Sequence, residues 1–158
     1  LIQKYFEKYE FGMFVATSGG KDSTVILDLA LKINPFIIIV HNPKSITHPD
    51  TIKFLYDISQ KNIINYVPSK YMKQFIRENN LKCQIDGTRI SEFDRVDKSS
   101  DLIINGQTVS RTEMKDHGVG IWGLENIYPI YDWSDDDVFN YCKLNKLPLS
   151  REYKEYIL

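Results

Sequence analysis

Hydrophobic and polar positions along the first half of the chain alternate between short apolar runs and longer amphipathic stretches. Three apolar runs have the length of buried strands, at 13–17, 36–40 and 63–67. Four stretches carry apolar residues at helical spacing, at 2–9, 23–32, 49–61 and 71–79. This alternation predicts βαβ units and a mainly parallel sheet.

The pattern is looser beyond residue 80, where the elements are shorter. A short strand is predicted at 84–86, a hairpin at 101–109 and a last strand at 127–131. The hairpin rests on Asn105-Gly106, because this dipeptide tolerates the positive φ of a two-residue turn. Ser134, followed three residues later by Asp137, predicts a capping box that opens a final helix.

Length, composition and charge indicate one ordinary globular domain. The 158 residues fit a single domain, 1–158, although a sequence that opens on Leu1 rather than methionine need not be the whole protein. The net charge of −1 argues against a nucleic-acid or membrane-surface partner. No apolar run approaches the length of a membrane span, and two cysteines suit a reducing compartment, so a cytoplasmic location is expected.

The segment after the first predicted strand carries the clearest chemical signal. Residues 17–24 read Thr-Ser-Gly-Gly-Lys-Asp-Ser-Thr and lead directly into a helix. Two glycines let the backbone turn its N–H groups towards an anion, and the helix N-terminus adds partial positive charge. Lys21 contributes a full charge, and Ser18 and Ser23 contribute hydroxyl groups. The segment therefore predicts a phosphate-binding loop.

Two common phosphate-binding patterns do not fit this loop. A Walker A loop requires glycine where Val15 stands and a hydroxyl side chain where Asp22 stands. The Gly-x-Gly-x-x-Gly dinucleotide pattern is absent as well. A bare strand-to-helix turn is the remaining alternative, but such a turn does not require serine, lysine and aspartate around its glycines.

The hexapeptide Ser-Gly-Gly-Lys-Asp-Ser at 18–23 resembles the PP-loop of the ATP pyrophosphatases, the adenine nucleotide alpha hydrolase-like group. Three further segments are similar to the PAPS reductase family of that group, at 48–54, 87–95 and 129–138. The resemblance covers about residues 13–153. It implies an α/β fold of three layers, with a mostly parallel five-stranded sheet and helices on both faces. The hairpin near 101–109 would be a small insertion.

The resemblance also implies a ligand and a set of binding residues. The ligand would be ATP or PAPS, with Mg²⁺ on its phosphates. The predicted nucleotide-binding residues are Ser18, Gly19, Gly20, Lys21, Asp22, Ser23, His41, Gly87 and Arg95. Lys21 and Arg89 are the predicted catalytic residues, and Arg89 would hold an anionic acceptor bidentately.

Simpler interpretations stay open for several of these residues. Arg89 and Arg95 are alternatively surface arginines paired with Glu92 or Asp94. Asp22 is alternatively a helix cap, and His41 a structural histidine at the end of the second strand.

Other histidines, cysteines and basic residues carry weaker signals. His48 and His117 have no metal-ligand spacing with the cysteines, so no protein metal site is predicted. Cys83 and Cys142 are interpreted as buried packing residues, with a sulfur-carrier or redox role for Cys83 as the alternative. A scattered basic run is interpreted as a solvated face rather than an RNA surface, at Lys61, Lys70, Lys73, Arg77 and Lys82.

Departures from the family pattern favour one reaction over another. His41-Asn42-Pro43 replaces the usual Asp-Thr-Gly after the second strand. PAPS reductases often have a degenerate PP-loop and carry a catalytic cysteine in a C-terminal tail, whereas here the loop is intact and residues 143–158 hold no cysteine. We therefore expect an enzyme that cleaves ATP between the α and β phosphates and adenylylates an acceptor.

Several alternatives to this reaction stay open. The acceptor is unidentified, and sulfate, a thiolation target and a flavin nucleotide are all candidates. The chain is alternatively a PAPS or APS reductase, or a non-catalytic ATP-binding subunit, and either a homo-oligomer or a partner subunit is compatible with the sequence.

Overall fold

A computed structural model gives the fold of this chain. It describes residues 1–43, 49–90, 102–104, 107–109, 116–119 and 121–147. The strands are β1 (Met13–Ala16), β2 (Ile38–His41), β3 (Ile64–Tyr66), β4 (Cys83–Ile85), β5 (Leu102–Ile104), β6 (Gln107–Val109), β7 (His117–Val119) and β8 (Glu125–Ile127). The helices are α1 (Ile2–Tyr9), α2 (Lys21–Ile33), α3 (Pro49–Ser59), α4 (Ser69–Glu78) and α5 (Asp135–Leu144).

The main sheet has six strands in the order β3-β2-β1-β4-β8-β7. The first five are parallel, and β7 pairs antiparallel with β8 at one edge. The mostly parallel sheet is confirmed, but the predicted count of five strands is wrong by one. The missed strand is β7, whose three residues include a glycine and a histidine and therefore carry no apolar run that would signal it.

The predicted hairpin is confirmed in its two strands. Strands β5 and β6 pair antiparallel in a sheet of their own, with Ile104 opposite Gln107. That register leaves two residues for the connection, as a tight hairpin requires. The connecting residues 105–106 themselves lie outside the described residues.

Helices cover both faces of the main sheet, which confirms the three-layer architecture. On one face, β1 contributes Met13 and Val15 to a large apolar cluster that also contains Val25 and Ile26 of α2. Helices α1, α3 and α5 pack against the same cluster. On the other face, Phe14 belongs to a smaller cluster built on α4. The alternating side chains of a buried parallel strand explain why consecutive residues of β1 belong to different clusters.

Some predicted strand boundaries are wrong by a few residues, because turns occupy part of the predicted ranges. Strand β2 begins at Ile38 rather than at residue 36, and Phe36 is 89% exposed. Strand β8 ends at Ile127, because residues 128–131 form a turn in which the Tyr131 N–H donates to the Tyr128 carbonyl. The capping box of α5 is confirmed by reciprocal bonds between Ser134 and Asp137 of 3.1 and 2.9 Å.

The strand order creates a crevice at the carboxyl ends of β1 and β4. Strand β1 lies between β2 and β4, and the helices that lead away from β1 and into β4 pack on opposite faces. Loops after the two strands therefore diverge, and ligands of open α/β sheets bind at such a point. Among the helices that the structure describes, none has the length and apolar character needed to cross a bilayer.

Candidate functional site

The loop after β1 is closed by its own hydrogen bonds. The Ser18 N–H donates to Ser23 Oγ at 3.1 Å, and the Ser23 hydroxyl donates to the Gly20 carbonyl at 3.1 Å. The two serine oxygens are 3.1 Å apart, so the Ser18 hydroxyl is the donor between them. Thr24 adds a second hydroxyl bond to the Gly20 carbonyl at 2.7 Å. Both predicted serines thus shape the loop in this conformation.

Glycine is required at position 19 for two reasons. The backbone φ of Gly19 is +83°, a region that side-chain-bearing residues rarely adopt. In addition, a Cβ atom at this position would lie 2.6 Å from Cγ2 of Thr51 in α3. The loop therefore packs tightly against the N-terminal turn of α3.

Lys21 is the first residue of α2, two residues earlier than the sequence predicts. Gly20 is the N-cap residue, and its conformation is extended. The first turn of an α-helix leaves N–H groups without intrahelical partners and carries partial positive charge, and α2 presents this end to the crevice. Lys21 Nζ lies 3.6 Å from Asp22 Oδ2, with most of the lysine side chain shielded from solvent. Lys21 and the helix N-terminus therefore bring positive charge to the loop, next to the carboxylate of Asp22.

Arg89 connects the start of α2 to the start of α5. Its Nε donates to Asp22 Oδ1 at 2.9 Å, and its Nη2 donates to Asp135 Oδ1 at 2.7 Å. A third bond of 3.1 Å runs from Nη1 to the Trp133 carbonyl. The side chain is 0% exposed, so the alternative of a surface arginine is wrong. All three bonds run from the guanidinium to protein groups. That Arg89 holds the acceptor stays a prediction.

Asp22 does not cap α2. The helix has no side-chain bond at its N-cap, and the Asp22 carboxylate is instead turned towards Arg89 and Lys21. The capping alternative is therefore wrong, because a buried guanidinium attracts the carboxylate more strongly than exposed backbone N–H groups do.

Gly87 allows the loop after β4 to lie directly on the backbone of α2. A Cβ atom there would be 3.1 Å from the carbonyl carbon of Asp22 and 3.3 Å from the amide nitrogen of Ser23. The neighbouring Asp86 holds the turn by accepting bonds from the N–H and hydroxyl of Thr88, at 2.9 and 2.8 Å. The structure thus brings Gly87 and the phosphate-binding loop together.

His41 and Arg95 were also predicted to contact the nucleotide. His41 is buried, its Nδ1 lies 2.8 Å from the Thr17 carbonyl, and its ring packs edge-on against Tyr66. These contacts favour the structural alternative for His41. Arg95 lies outside the described residues, as do its predicted partners Glu92 and Asp94.

A cavity of about 850 Å³ opens beside this loop and extends over the α4 face of the sheet. The loop and Gly87 form its polar end, and Phe14, Val40 and Met72 form an apolar wall. Thr17 also lines the cavity, and its buried Oγ1 has no hydrogen-bond partner among the described residues. A buried hydroxyl without a partner at the end of β1 fits a ligand that would bond to it.

Several cavity residues were not predicted to bind a ligand, among them Thr17, Gln84 and Trp122. Thr17 and Gln84 lie in predicted strands, so strand position was the available signal. Nothing in the sequence around Trp122 indicates its place.

Few of the described side chains near the loop could coordinate a metal ion. In the described ranges, no group of three or more histidine, cysteine, aspartate or glutamate side chains is arranged to hold a metal. Asp22 belongs to the loop, but it is already paired with Arg89 and Lys21. Mg²⁺ binds proteins through one or two carboxylates together with substrate phosphates. Asp22 therefore fits as one ligand of an ion that arrives with a nucleotide, and it does not form a metal centre by itself.

The two cysteines are unsuited to thiol chemistry. Both are buried. Burial, with a smaller contribution from Glu125, raises the pKa of Cys83 to about 12. Burial, followed by Asp22 and Asp28, raises the pKa of Cys142 to about 11. The thiolate is the reactive form, so burial and a raised pKa both disfavour reaction at neutral pH. Both cysteines lie in the large apolar cluster, which confirms their interpretation as packing residues.

Comparison with known proteins identifies the family. The sequence model of the phosphoadenosine phosphosulfate reductase domain matches residues 12–156. The chain belongs to this family. A crystal structure of phosphoadenylyl-sulfate (PAPS) reductase from Candida auris, a phosphate complex, matches with a TM-score of 0.65 and 11% identity, covering 98% of this chain and 84% of that one. At that identity the structural match supports the PAPS reductase-like fold alone. No curated protein matches the chain significantly in sequence.

Proposed function

We propose that this PAPS reductase-family domain binds an adenine nucleotide with its phosphates on the loop 18–23 and cleaves ATP between the α and β phosphates. The observation that carries the proposal is the loop itself. It is held closed by Ser18 and Ser23, and it brings a lysine and a helix N-terminus to the crevice between β1 and β4, the position at which open α/β sheets bind ligands.

The charges around the loop suit the departure of pyrophosphate. An oxygen of the acceptor would attack the α-phosphorus and form a new P–O bond, while the bond from the α-phosphorus to the bridging oxygen breaks. Lys21 and the first-turn N–H groups would stabilise the negative charge that develops on the leaving pyrophosphate. Asp22 would be one ligand of the Mg²⁺ ion bound to the nucleotide, and the ion would neutralise part of the phosphate charge.

Arg89 would act on this site through Asp22. Its bonds to Asp22 and Asp135 fix the first turn of α2 relative to α5. We assign Arg89 as a positioning residue, because three of its donor contacts go to protein groups.

Family membership favours a second candidate, the reduction of PAPS. That reaction breaks the sulfur–oxygen bond to the nucleotide phosphate and requires two electrons from thiols. The sequence holds two cysteines, and both are buried with a raised pKa. PAPS reduction at this site would therefore depend on a thiol from another molecule or chain segment.

Product analysis separates the two reactions. The protein is incubated with ATP and Mg²⁺, or with PAPS and a dithiol reductant, and the products are resolved by chromatography. AMP or an adenylylated product with pyrophosphate supports ATP cleavage. Adenosine 3′,5′-bisphosphate with sulfite supports reduction, and unchanged nucleotide contradicts both. Lys21→Ala should abolish the activity, while Lys73→Ala, on the exposed face of α4, should retain it.

A further inference from the structure

The four most exposed large apolar side chains of the described residues lie at one end of the molecule. Their exposed fractions are 82 to 89%, and the next large apolar residue is Tyr56 at 63%. Three of them stand within two residues of the start of neighbouring parallel strands: Phe11 before β1, Phe36 before β2 and Ile63 before β3. Adjacent strands are about 4.8 Å apart, so these three positions span about 10 Å across the sheet.

Leu144, the fourth of these residues, lies at the same end. Helix α5 begins at Asp135, which lines the cavity at the other end of the sheet, and it ends at Leu144. The next residue, Asn145, accepts a bond of 2.7 Å from Lys32 in the last turn of α2. The end of α5 therefore lies beside the end of α2, from which the chain leads to Phe36. The four exposed residues define a surface that we call the amino edge.

The gathering of exposed apolar residues at the amino edge needs an explanation. Single apolar side chains are common on protein surfaces, whereas a group that is rimmed by polar residues marks an interaction site. The ligand cavity does not account for the group, because none of the four residues lines it and the two surfaces lie at opposite ends of β1. The amino edge is therefore a candidate for a second binding surface.

Lysines form the rim of the amino edge. The described connections that follow the helices there are 10–12, 34–37, 60–63, 79–82 and 145–147, and their charged residues are Lys61, Lys82, Lys146 and Glu10. The Lys82 N–H donates to the Gly12 carbonyl at 2.7 Å, which places this lysine beside Phe11. The last helical turns add three basic and two acidic residues, Lys32, Arg77, Lys143, Asp57 and Glu78. The rim is therefore predominantly basic.

The basic rim and the helix ends select among the possible occupants of the amino edge. A second copy that used the same face would bring lysines against lysines, and like charges across an interface cost binding free energy. A bilayer would press its hydrocarbon on the ends of α2 and α5, whose last carbonyls have no intrahelical partners. We infer that the amino edge docks a protein whose contact surface has apolar residues at its centre and acidic residues at its rim.

Docking at the amino edge leaves the ligand cavity open. Strand β1 begins beside Phe11 at the amino edge and ends at the loop 18–23, so the partner and a nucleotide would bind at opposite ends of the same strand. The two ligands therefore do not compete. The chain would act as the nucleotide-binding subunit of an assembly, whichever reaction it performs.

Binding of matched peptides tests this inference by fluorescence anisotropy. Each pair consists of two amphipathic peptides with the same apolar residues, surrounded by glutamates in one and by lysines in the other. The parent protein should bind the glutamate peptides at least about tenfold more tightly than the lysine peptides. Equal binding of the two, or no binding of either, overturns the inference.

Variants locate the binding on the amino edge. Phe36→Ser should weaken binding of the glutamate peptides about tenfold or more, as expected for an aromatic hot spot. The double variant Lys61→Glu, Lys82→Glu should reverse the preference between the two kinds of peptide. Tyr71→Ser, in the first turn of α4 and 51% exposed, is the matched control and should change neither. An equal loss in Tyr71→Ser, or no loss in Phe36→Ser, contradicts docking at this surface.

Two measurements identify the other possible occupants. A dimer of the parent in sedimentation velocity that Phe36→Ser disperses would assign the amino edge to a second copy. Binding to vesicles of phosphatidylcholine and phosphatidylserine that the same variant loses would assign it to a lipid surface. Either result overturns the inference of a protein partner.

Folding and the ligand cavity are controlled separately. Phe36→Ser should keep the urea midpoint of the parent and its affinity for ATP, because Phe36 is exposed and lies outside the cavity. If the midpoint falls, Leu144→Ser takes its place, and unchanged binding of the glutamate peptides to that variant overturns the inference. A parent that binds the glutamate peptides but not ATP contradicts the proposed function and leaves the docking surface standing.

Discussion

Replacing Arg89 with methionine removes a guanidinium but retains a chain of similar length in a buried position. The change deletes the bonds to Asp22, Asp135 and the Trp133 carbonyl, at 2.9, 2.7 and 3.1 Å. Breaking a buried ion pair by removing one partner costs about 3–5 kcal/mol, because the remaining charge is left without compensation. The side chains of Asp22 and Asp135 are 16% and 38% exposed, so water hydrates them partly and the lower end applies.

We therefore expect Arg89→Met to lower the free energy of unfolding by about 3 kcal/mol. Urea denaturation, followed by circular dichroism, measures this loss as a fall in the midpoint of about 1.5 M for an m-value of about 2 kcal/mol/M. The matched control is Arg77→Met on the exposed face of α4, which should stay within about 0.5 kcal/mol of the parent.

A triple variant tests whether the charge of the two carboxylates causes this loss of stability. In the triple variant Arg89→Met, Asp22→Asn, Asp135→Asn the two carboxylates that lose Arg89 become neutral amides, so at least half of the lost stability should return. A loss below about 1 kcal/mol in the single variant would refute a structural role for the network. A triple variant as unstable as the single one would show that packing, rather than unpaired charge, carries the effect.

Three further predictions concern the loop, the crevice and the thiols. Lys21→Ala should weaken ATP binding by about 1–3 kcal/mol in calorimetry, and equal affinity would contradict phosphate binding by the loop. Gly87→Ala should destabilise the fold by about 1–3 kcal/mol in urea denaturation, because its Cβ would press on the backbone of α2. Unchanged stability would mean that the backbone of α2 moves away from the added Cβ at little cost. Burial raises the pKa of Cys83 to about 12 and that of Cys142 to about 11, so both thiols stay protonated at pH 8 and should resist a thiol-labelling reagent until denaturant unfolds the chain. Rapid labelling of the folded protein would contradict that prediction.

The same thiols give stability a pH dependence. Burial raises each folded-state pKa above the ordinary value of 9.0, so the unfolded chain loses these protons first as the pH rises. The free energy of unfolding should therefore be constant with respect to these groups below about pH 8 and should fall as the pH rises above 9. Replacing Cys142 with alanine should reduce the slope of this fall in urea denaturation series.

The sequence predicted the elements that are encoded locally. Strand β1, the glycine pair, helix α2 and the capping box at Ser134 depend on residues within a few positions of one another, and all are found near their predicted places. Local pattern was sufficient for these. Gly87 was predicted as a nucleotide-binding residue from the family resemblance, and in the structure it lies against the first turn of α2.

Contacts between distant residues could not be predicted in this way. Among the described residues, the carboxylates that hold Arg89 are 67 and 46 residues away in sequence, a separation over which no local pattern acts. Trp122 lines the cavity and its backbone φ is +62°, which no local residue preference indicates. Strand β7 was missed because an edge strand needs no apolar run when one neighbour supplies all of its pairing.

The self-closed loop has a consequence for the speed of binding. Its conformation is held by Ser18, Ser23 and Thr24 on the carbonyl and amide groups of the loop itself, so the loop is already ordered when an anion arrives. Ligands that enter preorganised sites avoid the entropy of ordering, and their association is limited by diffusion and orientation rather than by a conformational step. The association rate should then vary with ionic strength, through attraction to Lys21, and not saturate with ligand concentration.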